Sequence, residues 1–264
     1  MVQGAVLNQS SDTAVRPIVH RIGWRDLKDA LAGGFADFSA NPSHMIFLCI
    51  IYPIVGILTA RVTARNDLMP LFFPLVAGFA LVGPFAAVGL YELSRRREQG
   101  LDASWSQVFA LKRSPSLGAI VEIGVLLAVI FVAWLGAAQA VYGATLGPFA
   151  PASATAFMES LVSTPAGWTL IVVGNTLGAV FAAVALTVSV VSLPMLVDKN
   201  VGLATALATS VRCVAANPMT MALWGLIVAA ALVVGTIPLF VGLAIVLPVL
   251  GHATWHLYRR LVEV

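Results

Sequence analysis

The sequence predicts an all-α, polytopic membrane bundle of six transmembrane helices with amphipathic helices against its cytoplasmic face. Three observations carry this prediction. Of 264 residues, 59% are hydrophobic and only 10% charged, whereas a soluble domain is nearer one-quarter charged. Apolar stretches of about 18 residues or more recur, each long enough for roughly 30 Å of hydrocarbon. A proline stands at the start of every such stretch, where its missing N–H costs a helix nothing.

The first 20 residues lack the apolar core of a signal peptide and read as a short disordered tail. Residues 21–264 form one membrane domain. In Ile22–Phe38, the apolar Ile22, Trp24, Leu27, Leu31, Phe35 and Phe38 recur at helical spacing, with Arg21, Arg25, Lys28 and Asp29 largely off that stripe. This pattern predicts a helix lying in the membrane interface, either covering the bundle or offering a docking surface for lipid or a partner. Gly100–Leu111 and Val201–Val214 are weaker versions.

Hydropathy places the spans near Met45–Ala60, Leu71–Leu90, Leu117–Val141, Trp168–Leu193, Met221–Val234 and Leu239–His252. Their opening prolines are Pro42, Pro70, Pro115, Pro165, Pro218 and Pro238. Asn41, Ser114, Thr164 and Asn217 precede four of them as N-cap residues. The last two spans share one apolar run that Gly235-Thr236-Ile237-Pro238 breaks into a hairpin. Pro53, Pro84 and Pro248 lie inside spans and predict kinks.

Thirteen of the fifteen lysines and arginines fall on one side of this arrangement, leaving Arg61 and Arg65 on the other. Both termini are therefore expected in the cytoplasm. Two stretches also resemble each other without gaps. Ala30–Pro42 aligns with Ala206–Pro218, and Gly78–Arg96 aligns with Gly242–Arg260, both ending in Arg-Arg. Both copies enter from the same side, which predicts a parallel internal repeat with halves near 22–97 and 200–261 and two spans between them.

His252 and His256 are four apart, so a helix puts both rings on one face. That spacing suits a metal or haem site, a proton relay, or the polar foot of a membrane helix. Metal or haem binding would require more ligands, and only His20, His44, Glu122 and Cys213 offer themselves. Trp255, Tyr258, Arg259 and Arg260 have the composition of an anchor among lipid headgroups. Trp24 and Arg95, Arg96 and Arg97 are anchors of the same kind. Glu122 is the one carboxylate inside a predicted span, a costly position that predicts a partner. His252 is the leading candidate for an intramembrane polar pair with it. Gly174 and Gly178 form a GxxxG pair for close helix packing, within the bundle or between copies. Cys49 and Cys213 lie in separate contexts, and no disulfide is expected. No nucleotide-binding, nucleophile-elbow or zinc motif occurs. The expectations are accordingly no catalytic residues, no cofactor and no nucleic acid.

The motifs "DLKDALAGGFADF", "GFALVGPFAAVGLYELSRRREQG", "SLPMLVDK", "NPMTMALWG" and "LPVLGHATWHLYRRL" resemble a bacterial family of predicted integral membrane proteins called domain of unknown function 2189. The motif string runs from about Val19 almost to the end of the chain. The resemblance implies a multi-pass protein of the bacterial inner membrane and no catalytic residues. Some members carry a label relating them to subunit one of cytochrome c oxidase. That subunit needs more histidine ligands than the four histidines present here, so the label implies at most a supporting role near a respiratory complex.

The functional expectation is a non-enzymatic accessory, assembly or scaffold component. Its partners would be the lipid bilayer and a membrane protein or a second copy. The alternatives are a channel or transporter with Glu122 in the path, and a metal- or haem-binding membrane protein using His252 and His256.

Overall fold

The computed structural model describes residues 17–43, 46–47, 49–52, 54, 57, 69–147 and 153–263. Ten α-helices account for nearly all of it. α1 (Trp24–Ala40) precedes α2 (Met69–Ala86) and α3 (Val88–Glu98), and a 3-10 helix (Trp105–Arg113) leads into α4 (Leu117–Thr145). A short α5 (Ala154–Ser163) turns into α6 (Pro165–Ser189), which continues through a break into α7 (Ser192–Asp198). α8 (Leu203–Ala216), α9 (Pro218–Thr236) and α10 (Leu243–Leu261) follow. β1 (Ile18–Val19) pairs antiparallel with β2 (Val262–Glu263), so the described N-terminal segment is bonded to the C-terminal end.

Four helical stretches among the described residues are long and apolar enough to cross a membrane: Pro70–Glu98, Leu117–Thr145, Pro165–Asp198 and Pro218–Thr236. They match the predicted second to fifth spans. Half of the predicted first span lies outside the described residues, its described half being helical, and Arg61, Arg65, the first 16 residues of the tail, His44 and Pro53 lie outside them as well. The predicted sixth span is not among the four: α10 falls short of their apolar composition. It begins at Leu243 rather than Leu239, because Leu239 and Phe240 adopt left-handed φ values of 50° and 66° in the turn after Pro238. Its apolar stretch ends at Gly251, where His252 begins a polar half.

The proline marks act through different chemistry at different helices. Thr164 caps α6 by accepting the Gly167 N–H at 2.9 Å, with Pro165 in the first turn, as expected. Asn217 makes no cap bond to the helix it precedes. The Asn217 side chain accepts from Ile22 N at 2.8 Å and donates to His20 O and Cys213 O, both at 3.0 Å. Asn41 Nδ2 donates to Ala103 O at 3.3 Å. Both Asn-Pro pairs end a helix and tie it to a distant strand of chain. These are the matching ends of the two aligned stretches.

The buried core is concentrated at one end. Only about a fifth of the residues in three of the four spans are buried, against 56% in Pro165–Asp198, whose second half enters that end. There Leu27 and Ala30 of α1, Tyr91 and Leu93 of α3, Leu193 and Met195 of α7, and Trp255 and Leu257 of α10 are fully enclosed. Ser94 in α3 stands about 36 Å along the helix axis from Pro70, beyond the roughly 30 Å of a bilayer's hydrocarbon. The helices thus rise from a packed base and carry apolar outer faces away from it.

α1 packs lengthwise along α10, which is the covering role of the two the sequence left open. The order of contacts is antiparallel: Asp26 meets Arg260, Gly33 lies against the His256 ring, and Gly34 lies against Ala253 and Val249. Gly34 is indispensable to this approach, because a Cβ there would stand 2.6 Å from Ala253 N and Val249 O. The buried face of α1 is Leu27, Ala30, Gly34 and Asp37, spaced three, four and three apart, as one helix face requires. Trp24 and Phe35, from the aromatic stripe, are 54% and 60% exposed.

Candidate functional site

The close approach of α1, α3 and α10 encloses a chain of polar side chains. α1 supplies Asp37, α3 supplies Ser94 and Arg97, and α10 supplies His252 and His256 at the same face of successive turns. Ser94 Oγ donates to Asp37 Oδ2 at 2.6 Å and lies 2.7 Å from His252 Nδ1. His256 Nε2 stands 2.9 Å from the same Asp37 oxygen, and Arg97 Nε stands 3.1 Å from Oδ1. Asp37 is therefore the hub, 6% exposed, with four bonds' worth of acceptor capacity and three donors directed at it.

The proton inventory fixes the chain's direction. Ser94 has one hydroxyl proton and gives it to Asp37, so the short contact to His252 requires Nδ1–H as the donor. Neutral His252 is then the Nδ1–H tautomer. Its Nε2 is buried and makes no well-formed hydrogen bond. Burial pushes the Asp37 carboxyl up, but the hydrogen bonds from His256 and Ser94, with the His256 charge, outweigh it. The carboxyl ends below its ordinary value and stays ionised. The order of groups differs from that of an activated serine nucleophile, where an imidazole receives the hydroxyl proton. Here the carboxylate receives it.

A second layer of ion pairs surrounds this chain. Glu98 accepts from Trp255 Nε1 at 2.9 Å and pairs with Arg259 at 3.0 Å. Asp198 accepts from Tyr258 Oη at 2.9 Å and lies 3.5 Å from Arg259. Burial, then the Asp198 charge, pushes the Tyr258 phenol above its usual range, so it remains a donor. Arg260 joins Asp26 at 2.8 Å and Asp29 at 3.1 Å. Glu92 is held by Arg95 through two bonds of 2.8 Å, with Arg96 at 3.5 Å.

These pairings correct the anchor assignments. Trp255 and Tyr258 are 1% and 0% exposed, so neither reaches a headgroup. Arg95, Arg96, Arg97, Arg259 and Arg260 are engaged by carboxylates of the protein itself, because α1, α3 and α7 each bring acidic side chains to the foot of α10. Of the anchor aromatics Trp24, Trp255 and Tyr258, only Trp24 faces outward.

The expected pair of Glu122 and His252 is also corrected. α4 turns Ile120, Ile123, Leu127 and Ile130 inward, and Glu122 falls off that stripe on an exposed face beside Val121 and Val125. The partner of His252 is Ser94. The two histidines do not converge on a common point either: one addresses Ser94 and the other Asp37. Among the described residues no group of three or more His, Cys, Asp or Glu side chains is placed to hold a metal ion. The GxxxG pair divides. A Cβ at Gly178 would stand 3.1 Å from the Trp134 ring, so it seats α4, whereas Gly174 has nothing within 4 Å. Cys49 is exposed and Cys213 buried, and both are free.

Asp37 was missed by sequence reasoning. Its signal was the pair Gly33-Gly34 one turn before it, which marks where another helix comes close enough to bury whatever follows on that face.

Long apolar helices standing on a packed, ion-paired base define a multi-pass helical membrane protein. The family model described as "Predicted integral membrane protein (DUF2189)" matches residues 72–198, from α2 to α7, which bears out the resemblance over that stretch. Ser94 and Arg97 lie inside it; Asp37, His252 and His256 lie outside. No curated protein and no solved structure matches the chain.

Proposed function

We propose that this protein is a non-enzymatic accessory or scaffold component of the bacterial inner membrane, using its base as a rigid platform. The observation that carries this is the division of labour in the fold: burial and ion pairing gather at the basic end, while the spans bury little against one another. A bundle of that kind presents apolar faces to lipid or to a partner while its base keeps one shape. The pairing of β1 with β2 supports termini on the same side, hence an even number of crossings. The six-crossing arrangement adds residues 45–60 and the turn-and-helix segment 237–251 to the four long spans. The excess of lysine and arginine at the base supports a cytoplasmic location for it. The parallel duplication fits the two Asn-Pro helix ends.

Affinity purification in mild detergent, with identification of co-purifying proteins, tests the proposal. A stoichiometric membrane-protein partner or a defined homo-oligomer is expected. A monomer that purifies alone and moves an ion or solute across reconstituted vesicles would replace it with the transporter class.

A further inference from the structure

At the end of the bundle away from the base, α2, α4, α5 and α6 enclose a cavity of about 500 Å³. Phe72, Trp134, Tyr142, Phe157, Ile171 and Gly174 lie in its wall. The wall's polar hydrogens are spent internally where they are available: Trp134 Nε1 donates to Pro74 O at 2.9 Å and Asn175 Nδ2 to Ile171 O at 2.7 Å. The Tyr142 and Phe157 rings meet edge to face at 6.1 Å, and Trp134 is braced by Phe181 at 5.8 Å. The size and apolar wall are those of a ligand site. Three of its walls belong to helices apolar enough to cross a membrane, and a mouth between such helices would open on hydrocarbon.

We propose that this cavity holds an acyl chain of a bilayer phospholipid, taken up laterally from the membrane as a resident lipid. The chemistry selects this occupant. An aromatic and aliphatic wall, with its indole hydrogen and one Asn175 amide hydrogen already committed, gains by covering methylene groups and would leave most of a polar ligand unmatched. Phospholipid tails are the aliphatic chains at highest concentration outside such a mouth.

Gly174 provides the test. It lines the cavity, and a Cβ added there meets no protein atom within 4 Å, so Gly174→Leu starts from open space and extends into the volume a lipid chain would take. Gly136 also has nothing within 4 Å but lies on an exposed face of α4 outside the cavity, so Gly136→Leu is the control. The full chain would be reconstituted in phosphatidylcholine vesicles doped with a phosphatidylcholine bearing a diazirine midway along one tail, illuminated, and its labelled peptides mapped. Label is expected to concentrate on residues 157–161 and 170–175 over the exposed Val125, Val129 and Val132 face of α4. It should fall about tenfold or more in Gly174→Leu, where the added methyl and methylene groups take the chain's place, and stay unchanged in Gly136→Leu. Equal labelling of cavity and outer face would overturn the proposal. So would a cavity that takes no label, as when another segment of the chain fills it, or one labelled equally in Gly174→Leu. Should Gly174→Leu fail to fold, the ratio of cavity to outer-face label in the unaltered protein decides.

Discussion

His252 Nδ1 and Ser94 Oγ lie 2.7 Å apart, joining residues 158 positions distant in the chain. Ser94 passes the connection on to Asp37, and Asp37 collects His256 and Arg97. Three helices are thus fastened by one carboxylate. The geometry makes Asp37 the residue whose loss the base should feel most.

Replacing Asp37 by Asn keeps its shape but removes the charge that His256 and Arg97 address. Breaking a buried pair costs about 3–5 kcal/mol. Arg97 and His256 are 41% and 28% exposed, and water recovers part of their loss, so about 3 kcal/mol is the expected destabilisation. Thermal unfolding in detergent measures it. Ser94→Ala should cost about 1–3 kcal/mol by leaving buried partners unmet. The double variant should lose less than the sum, because both changes act on one chain. Strict additivity would mean that Ser94 and Asp37 do not share the network.

The acid dependence has a defined sign. The Asp37 carboxyl in the fold lies below its ordinary value of 3.8. Its contribution to stability is therefore present above that ordinary value and is lost as the pH falls through the lower, folded value. The stability gap between the wild-type chain and Asp37→Asn should be constant near neutrality and shrink only in strong acid. A gap that closed already between pH 7 and 5 would contradict a depressed carboxyl.

Helix contact at Gly34 tolerates no side chain. Gly34→Ala should destabilise the base by about 1–3 kcal/mol or more through overpacking, because the new carbon would meet backbone atoms at 2.6 Å. Gly118→Ala in the first turn of α4 meets nothing within 4 Å and should be neutral or slightly stabilising. Comparable effects at both positions would argue against close packing of α1 on α10.

Glu122 should be dispensable for stability. It lies on an exposed face of α4, so Glu122→Gln should change stability by no more than about 0.5 kcal/mol. Combined with His252→Gln, its effect should be additive. A strong coupling in that cycle would restore the pair that the fold separates.

What was legible in the sequence was what local chemistry decides. Four apolar stretches became long helices, and Thr164-Pro165 became a capped helix start. The arginine-rich segments gathered at one end. What was not legible depends on partners far along the chain. An aromatic and basic helix foot such as Trp255, Tyr258, Arg259 and Arg260 has one composition whether it meets headgroups or the carboxylates Glu98, Asp198, Asp26 and Asp29. The stripe of Trp24, Leu27, Leu31 and Phe35 promised an interfacial helix. Close approach to α10 buried Leu27 of that stripe together with the smallest residues, Ala30 and Gly34, and Asp37 with them, and left Trp24 and Phe35 outside. Glu122 invited a partner only because its face of α4 was unknown.

α1 is a docked part of the packed base and not a loose surface helix. Hydrogen–deuterium exchange of the full chain in lipid nanodiscs measures this directly over residues 24–40. Strong amide protection throughout α1 is predicted for the wild-type protein, with marked loss in Asp37→Asn and Gly34→Ala. Exchange in wild-type α1 as fast as in an unfolded segment, unaffected by either substitution, would contradict it.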